Sequence, residues 1–280
     1  MTSSRQLFQI LSKEIEAIYS AGEAKEISFI LLKYLYALSK TDVLADKPLK
    51  NDKQKELSAC LERIKTQEPI QYIVGETEFY GHAFLVNSSV LIPRQETEEL
   101  VKLIIEENKN KKSLRVIDIG TGSGCIPISL KSALPFAEVS TIDISHAAID
   151  LASKNAAFNH TEINFIEADI LQESFVLPAS DVIVSNPPYV LESEKKDMHK
   201  NVLDYEPGLA LFVPDLDPLT FYKAITLKAA YSLAKEGRLY FEINERFGRE
   251  TAALLETDFK NIRIIQDING KDRIVSGEKK

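Results

Sequence analysis

Hydrophobic positions recur at helical spacing through the first quarter of the chain. Leu7, Ile10, Leu11, Ile15 and Ile18 fall on one face of a helix. Ile27, Phe29, Ile30, Leu31, Tyr34, Leu35 and Leu38 predict a second, more apolar helix. Leu57, Cys60, Leu61 and Ile64 share one face of a third, over residues 52–65. A small helical bundle is therefore expected over residues 1–75. The pattern then changes. Gly75 and Gly81 punctuate short β-type runs in residues 70–92, and Asn87-Ser88-Ser89 offers a turn. These features predict a β-hairpin linker over residues 76–93. Residues 93–99 open a helix through Ile105, with the acidic first turn that the helix dipole favours.

From Leu114 onward strands and helices alternate. Strands are predicted at 114–119, 138–143, 163–167, 181–185 and 238–243. Helices are predicted at 125–134, 147–158, 219–234 and 249–255. Residues 262–267 and 273–276, joined through Asn269-Gly270, close as a hairpin. Such alternation implies an α/β domain over residues 94–280, with a mainly parallel sheet covered on both faces.

Composition narrows the classes. The 280-residue chain is 44% hydrophobic, ample for a core, and carries a net charge of −8. An acidic surface argues against a protein held mainly by nucleic-acid phosphate, so stable nucleic-acid binding is not expected. Cys60 and Cys125 lie far apart with no CxxC and no His cluster, so neither a disulfide framework nor a metal site is indicated. The N-terminal helix carries Glu and Lys and does not resemble a signal peptide. No apolar run is long enough to span a bilayer. A reducing cytoplasm is the expected location, and no surface stripe suggests a dimer, so a monomer is expected.

Two segments carry chemistry. Asp118-Ile119-Gly120-Thr121-Gly122-Ser123-Gly124 lies where the first α/β strand gives way to a helix. Glycines there take positive φ and let a ligand approach the backbone. The spacing D-x-G-x-G-x-G departs from the dinucleotide fingerprint. Asp143 ends the next strand, where a carboxylate can accept both ribose hydroxyls, and Asp169 follows the third, where it can meet an adenine amine beside Ile170. Each Asp taken singly also suits a helix cap or turn. Three acids at the carboxyl ends of successive strands suit one nucleoside at the ligand-binding edge of an open α/β sheet. The second segment is Asn186-Pro187-Pro188-Tyr189, after the fourth strand. Pro188 pushes Pro187 toward an extended conformation. The Pro187 carbonyl and the Asn186 side-chain oxygen are then rigid acceptors beside the flat Tyr189 ring, a setting for a planar –NH2 group; taken alone, the tetrapeptide equally suits an ordinary Pro-rich turn leaving a strand.

These motifs together resemble class I S-adenosylmethionine-dependent methyltransferases, and within them the release-factor glutamine methyltransferases, the HemK-like family. Pro69-Ile70-Gln71-Tyr72-Ile73-Val74-Gly75 with Glu78-Phe79-Tyr80-Gly81 is similar to that family's linker. Leu91-Ile92-Pro93-Arg94-Gln95-Glu96-Thr97-Glu98 resembles its I-P-R-x-[DE]-T-E motif. Tyr205-Glu206-Pro207-Gly208-Leu209-Ala210-Leu211 is similar to its [FY]-E-P-x-x-A-L segment, and Gly270-Lys271-Asp272-Arg273 to its closing hairpin. The resemblance covers residues 69–280; the N-terminal helices match in length and type only. At Ile170 some relatives carry an aromatic residue instead.

The resemblance implies a Rossmann-like fold with a seven-stranded sheet, a substrate-recognising N-terminal domain, and S-adenosylmethionine as cofactor. Asp118, Gly120, Thr121, Gly122, Ser123, Gly124, Asp143, Asp169, Ile170 and Asn186 are the implied cofactor residues. Asn186, Pro187 and Tyr189 are implied in catalysis, and Asn186, Pro187, Pro188, Tyr189, Arg94 and Phe79 in substrate binding. The implied partner is the Gly-Gly-Gln loop of class I peptide chain release factors, methylated on the glutamine side-chain nitrogen. Arg94 and the Phe79-Tyr80 pair equally suit a salt bridge and hairpin core packing, and Glu206 suits a structural brace. Adenine-N6 methylation of DNA or RNA uses the same two acceptors and is the alternative within this chemistry. A non-catalytic S-adenosylmethionine-binding module is the alternative of another class. A dehydrogenase is disfavoured by the glycine spacing.

Overall fold

The computed structural model describes residues 3–50 and 52–280. Met1, Thr2 and Asn51, which the predicted bundle includes, lie outside the described residues. In chain order the helices are α1 (Ser4–Ile15), α2 (Ala21–Tyr36), α3 (Lys40–Leu44), α4 (Gln54–Lys65), α5 (Ile70–Val74), α6 (Gln95–Asn108), α7 (Cys125–Ala133), α8 (His146–Phe158), α9 (Lys200–Tyr205), α10 (Thr220–Ser232) and α11 (Gly248–Leu255). The strands are β1 (Glu76–Phe79), β2 (His82–Leu85), β3 (Leu114–Ile119), β4 (Ala137–Asp143), β5 (Asn164–Glu167), β6 (Ser180–Ser185), β7 (Val190–Leu191), β8 (Phe212–Val213), β9 (Leu233–Glu242), β10 (Phe259–Gln266) and β11 (Asp272–Lys279).

The chain divides into two compact units. The first comprises residues 1–75 together with His199–Tyr205. Its first three helices start where a serine can cap them. Ser3, Ser20 and Ser39 each accept an N–H from the third helical residue, whose own side chain reaches back to the serine N–H. Leu11, Ile15, Leu31, Leu32 and Ile64 fill the core between the helices. The apolar run at 70–74 forms helix α5 rather than the predicted β-type run. Pro69 caps its start and Gly75, at φ 80°, ends it in the left-handed conformation. The hydroxyl of Tyr205 lies 3.0 Å from the Thr66 carbonyl and 2.8 Å from Thr66 Oγ1, which fastens α9 to this unit. Nothing local in the sequence announces that α9 belongs with residues 1–75.

The second unit carries a seven-stranded sheet in the order β10-β11-β9-β6-β3-β4-β5. β5, β4, β3, β6 and β9 pair in parallel, and β11 runs antiparallel between β9 and β10. Both faces are buried, so the strands read as continuous apolar runs. Val116, Val182, Val184 and Tyr240 pack on one face with Leu100, Ile104 and Ile128. Ile117, Ile183, Leu239 and Phe241 pack on the other with Tyr222, Ile225 and Leu255. β9 starts five residues earlier than predicted. Residues 229–234 look helical in isolation, but Leu233 pairs with Ser180 across a register shift in β6. At Gly237 an added Cβ would sit 2.8 Å from the Ala234 carbonyl oxygen and 3.1 Å from that of Asp181, so only glycine fits this bend.

The β1–β2 hairpin turns on Tyr80-Gly81, at φ 49° and 75°, a two-residue turn with both residues left-handed. Its position corrects one expectation. Phe79, assigned to substrate binding, is 1% exposed and packs edge-to-face on Phe84, with ring centroids 6.1 Å apart, within the sheet's core. Alternation along a four-residue strand sends Phe79 inward. Phe79→Ala is expected to cost about 3–5 kcal/mol of stability by leaving a cavity, measured by urea unfolding; a loss below about 1 kcal/mol would contradict core packing.

Candidate functional site

The parallel strands bring four loops to one edge of the sheet, where backbone and side-chain hydrogen bonds hold them. The N–H groups of Gly120 and Thr121 donate to the Ile142 carbonyl at 2.8 and 3.3 Å, which ties the glycine loop to the end of β4. Ser185 Oγ donates to the Ile119 carbonyl at 2.7 Å, which ties the end of β6 to the end of β3. Asn155 is fully buried and makes three bonds: Nδ2 donates to the carbonyls of Ser123 and Leu85, and Oδ1 accepts from the Leu85 N–H. It therefore fastens the glycine loop to strand β2.

One cavity opens at this edge. Gly120, Thr121, Gly122, Ser123, Asp143, Asp169, Ile170, Asn186, Pro187 and Pro188 all line it, as does Arg94. Gly120 and Gly122 have φ of 80° and 51°, and a Cβ at either would meet nothing closer than the Asn186 carbonyl oxygen at 4.0 Å. A ligand can thus lie against bare backbone. Asp143 Oδ2 accepts from the Gly122 N–H at 3.0 Å and Oδ1 from the Ser145 N–H at 2.9 Å. Burial raises its carboxyl above the usual range, while these N–H groups oppose the shift. Asp169 Oδ1 accepts from the Leu171 N–H at 2.8 Å. Ile170 is buried in the wall. Ile144, which directly follows Asp143, lines the same cavity at 50% exposure. A hydrophobe immediately after a strand-ending acid was the available signal for it.

Asn186 donates from Nδ2 to Thr97 Oγ1 at 3.3 Å. Among the described residues neither Asn186 Oδ1 nor the Pro187 carbonyl accepts a hydrogen bond, so both acceptors expected from the sequence are unengaged. Thr97 Oγ1 donates to Glu242 Oε2 at 2.7 Å, and the Tyr189 hydroxyl donates to Glu242 Oε1 at 3.3 Å. Burial raises the Glu242 carboxyl, against the pull of the Thr97 hydroxyl and the Arg273 charge. Arg94 Nη2 pairs with Glu206 Oε1 at 2.6 Å, and Glu206 Oε2 also accepts from the Ile92 N–H. Glu206 is thus the brace that its position suggested. Thr97, Glu242 and Asn155 were missed by sequence reasoning, because their partners are 32 to 145 residues distant.

Three expectations need correction. Asp118 does not reach the cavity: it is fully enclosed beneath the glycine loop, where Oδ2 accepts from the Thr141 hydroxyl at 2.7 Å. Gly124 is needed for packing rather than for a ligand. At φ 81° it starts α7, and a Cβ would press on Ile128 Cδ1 at 3.0 Å and Ala152 Cβ at 3.1 Å. Tyr189 does not line the cavity either; its ring packs with the second core cluster and its hydroxyl turns to Glu242.

The residues present suit a nucleoside-bearing sulfonium such as S-adenosylmethionine. Thr121 and Ser123 stand in the cavity wall, with their hydroxyls turned inward and enclosed. The backbone above them is open, an acid stands at the end of β4, and apolar Ile144 and Ile170 offer flat contact for a base. No cluster of three or more His, Cys, Asp or Glu able to hold a metal occurs among the described residues.

Burial pushes the Asp118 carboxyl from 3.8 up to about 7. The folded state then keeps a proton that the unfolded chain releases from about pH 4 upward. The contribution of Asp118 to stability is accordingly full below pH 4 and falls as pH rises to 7, by on the order of 4 kcal/mol. Asp118→Asn cannot ionise and is expected to lose this slope. Its melting temperature should gain on the parent's steadily between pH 4 and 7; a constant gap would show that Asp118 does not titrate there.

Comparison with known proteins agrees with this layout. Residues 93–204 match the methyltransferase small domain and residues 6–75 the PrmC N-terminal domain. A release factor glutamine methyltransferase of Flavobacterium psychrophilum is 49% identical, over 93% of this chain and 95% of its own. That of Bacteroides thetaiotaomicron is 43% identical, over 96% and 98%. A methyltransferase crystal structure from Pyrococcus furiosus shares the fold, with a TM-score of 0.53 at 14% identity, over 79% of this chain and 98% of that one. With such identity sustained over nearly the full length of both sequences, the chain belongs to the release factor glutamine methyltransferases.

Proposed function

We propose that this chain transfers a methyl group from S-adenosylmethionine to the N5 side-chain nitrogen of the glutamine in the Gly-Gly-Gln loop of class I peptide chain release factors. The products are N5-methylglutamine and S-adenosylhomocysteine. The observation that carries the reading is the pair of unengaged acceptors, Asn186 Oδ1 and the Pro187 carbonyl, beside the glycine loop in one cavity. Near-full-length relatives named for glutamine methylation favour an amide over an adenine amine as the group held there.

An amide nitrogen is a poor nucleophile, because its lone pair is delocalised into the carbonyl. S-adenosylmethionine supplies the methyl as an electrophilic carbon on a positively charged sulfur. Asn186 Oδ1 and the Pro187 carbonyl each accept one N–H of the glutamine amide, which fixes the nitrogen and directs its lone pair across the cavity. Positioning of this kind supplies a large share of a rate. The same two dipoles stabilise positive charge as it grows on the nitrogen. No strong base is required, since the cationic amide is acidic enough to lose its proton to water. Asp143 holds the ribose hydroxyls, while Ile144, Ile170 and Asp169 surround the base. Arg94, held by Glu206, forms part of the wall that the substrate loop passes, and Leu209, exposed at the rim, gives it an apolar contact. The N-terminal unit contributes recognition of the release factor, and the reaction takes place in the cytoplasm.

Asn186→Ala is expected to lower turnover about 10²- to 10³-fold, as loss of one polar transition-state contact does elsewhere, with cofactor affinity nearly intact by calorimetry. Mass spectrometry of a release factor incubated with enzyme and cofactor should find one added methyl on the Gly-Gly-Gln peptide. Near-normal turnover of the variant, or methyl transfer to nucleic acid in place of the factor, would sink the assignment.

A further inference from the structure

An asparagine amide is nearly symmetric in shape, and its terminal torsion is soft. Either the oxygen or the –NH2 can face a cavity at little steric cost. The two orientations have opposite chemistry: one accepts hydrogen bonds and the other donates them. Something outside the side chain must choose between them.

At Asn186 the choice is made two residues deep. Thr97, in the first turn of α6, is 2% exposed, and its hydroxyl has a single proton. Glu242, at the end of β9, is equally enclosed. Its two oxygens face two hydroxyl donors, Thr97 at 2.7 Å and Tyr189 at 3.3 Å, with the positive charge of Arg273 nearby. These donors and the Arg273 charge oppose the burial that raises the carboxyl, and in its ionised form Glu242 only accepts. The Thr97 proton is therefore committed to Glu242, and what Thr97 turns to Asn186 is a lone pair. Only the –NH2 edge of Asn186 can satisfy that lone pair, at 3.3 Å. The oxygen edge is left for the cavity.

We infer that Thr97 and Glu242 form a positioning relay that fixes the acceptor edge of Asn186 toward the cavity, and so selects a hydrogen-bond-donating –NH2 group as the one that is methylated. This rests on the reading of Asn186 as the substrate clamp. Glu242 lies behind the cavity wall, and Thr97, nearly enclosed at 2% exposure, forms part of that wall beside Asn186; in this reading both act through Asn186. Tyr189 belongs to the same device. Its hydroxyl occupies the second carboxylate oxygen, and its carbonyl accepts from Asn244 Nδ2 at 3.2 Å, which pins the segment just after the clamp.

The test is steady-state kinetics on a release factor with Thr97→Val, Thr97→Ser, Glu242→Gln, Asn186→Ala and the Thr97→Val/Asn186→Ala pair. Thr97→Val should lower kcat about 10- to 100-fold, the range that small misplacements cost, with cofactor Kd and KM unchanged. Thr97→Ser keeps the hydroxyl and should recover most of the loss. In the pair, Thr97→Val should add nothing to Asn186→Ala, because the residue it orients is already gone. Glu242→Gln places a donor where Thr97 or Tyr189 needs an acceptor, and should mimic Thr97→Val; it carries the test if Thr97→Val does not fold. Full kcat in Thr97→Val, or a loss that multiplies with that of Asn186→Ala, would overturn the relay and leave the clamp standing. Normal turnover in Asn186→Ala would remove the clamp, and the relay with it.

Discussion

A carboxylate in an apolar interior must find partners or surrender its charge, and Glu242 sets that requirement at the centre of the catalytic unit. Its partners come from separate parts of the chain. α6 supplies Thr97, the loop after β6 supplies Tyr189, and the closing hairpin supplies the charge of Arg273. The backbone carbonyl of Glu242 also accepts the hydroxyl of Tyr222 from α10, at 3.1 Å. Satisfying one buried acid thus draws the elements around the clamp into a single arrangement. Replacing the whole set by hydrocarbon would spare the desolvation cost, but it would leave Asn186 free to turn.

The same economy operates at the glycine loop. Asp143 serves as a cap for the backbone of Ser145 and as an anchor for Gly122, so the acid expected to meet a ribose also shapes the loop beside it. Asn155 performs the corresponding task from below with three hydrogen bonds. Rigidity here comes from the paired buried groups of Asp143 and Asn155, and such networks specify one geometry where apolar contacts would tolerate several.

Much of this was legible in the sequence. Period-two and continuous apolar runs located the sheet, and the alternation of strands with helices implied its parallel core. The Asn-Pro-Pro-Tyr turn and the D-x-G-x-G-x-G loop arrive in one cavity because parallel strands must end at the same edge. What stayed hidden depended on distant pairing. Phe79 looked like a lip of the pocket, but strand alternation turned it into the core. Tyr189 looked like a stacking face, but a buried carboxylate 53 residues away claims its hydroxyl. Asp118 looked like a ligand contact, yet the last residues of a central strand are covered by the loop that follows. Leu233 looked helical until a strand partner was available to it. In each case the local preference was real, and a contact formed only on folding overrode it.

The discontinuity of the N-terminal unit bears on how the chain is made. Among the described residues, its apolar core is drawn from residues before Gly75, all of which leave the ribosome before the rest of the chain is made. Helix α9, fastened through Tyr205 to Thr66, emerges only after strands β1–β7 have been synthesised. At roughly 5–20 residues per second, that gap is on the order of 10 s. A bundle that closed tightly before then would have to reopen to admit the late helix. The hydrogen bonds of the Tyr205 hydroxyl to Thr66, an exposed residue at the end of α4, are of a kind that can be added to a finished surface.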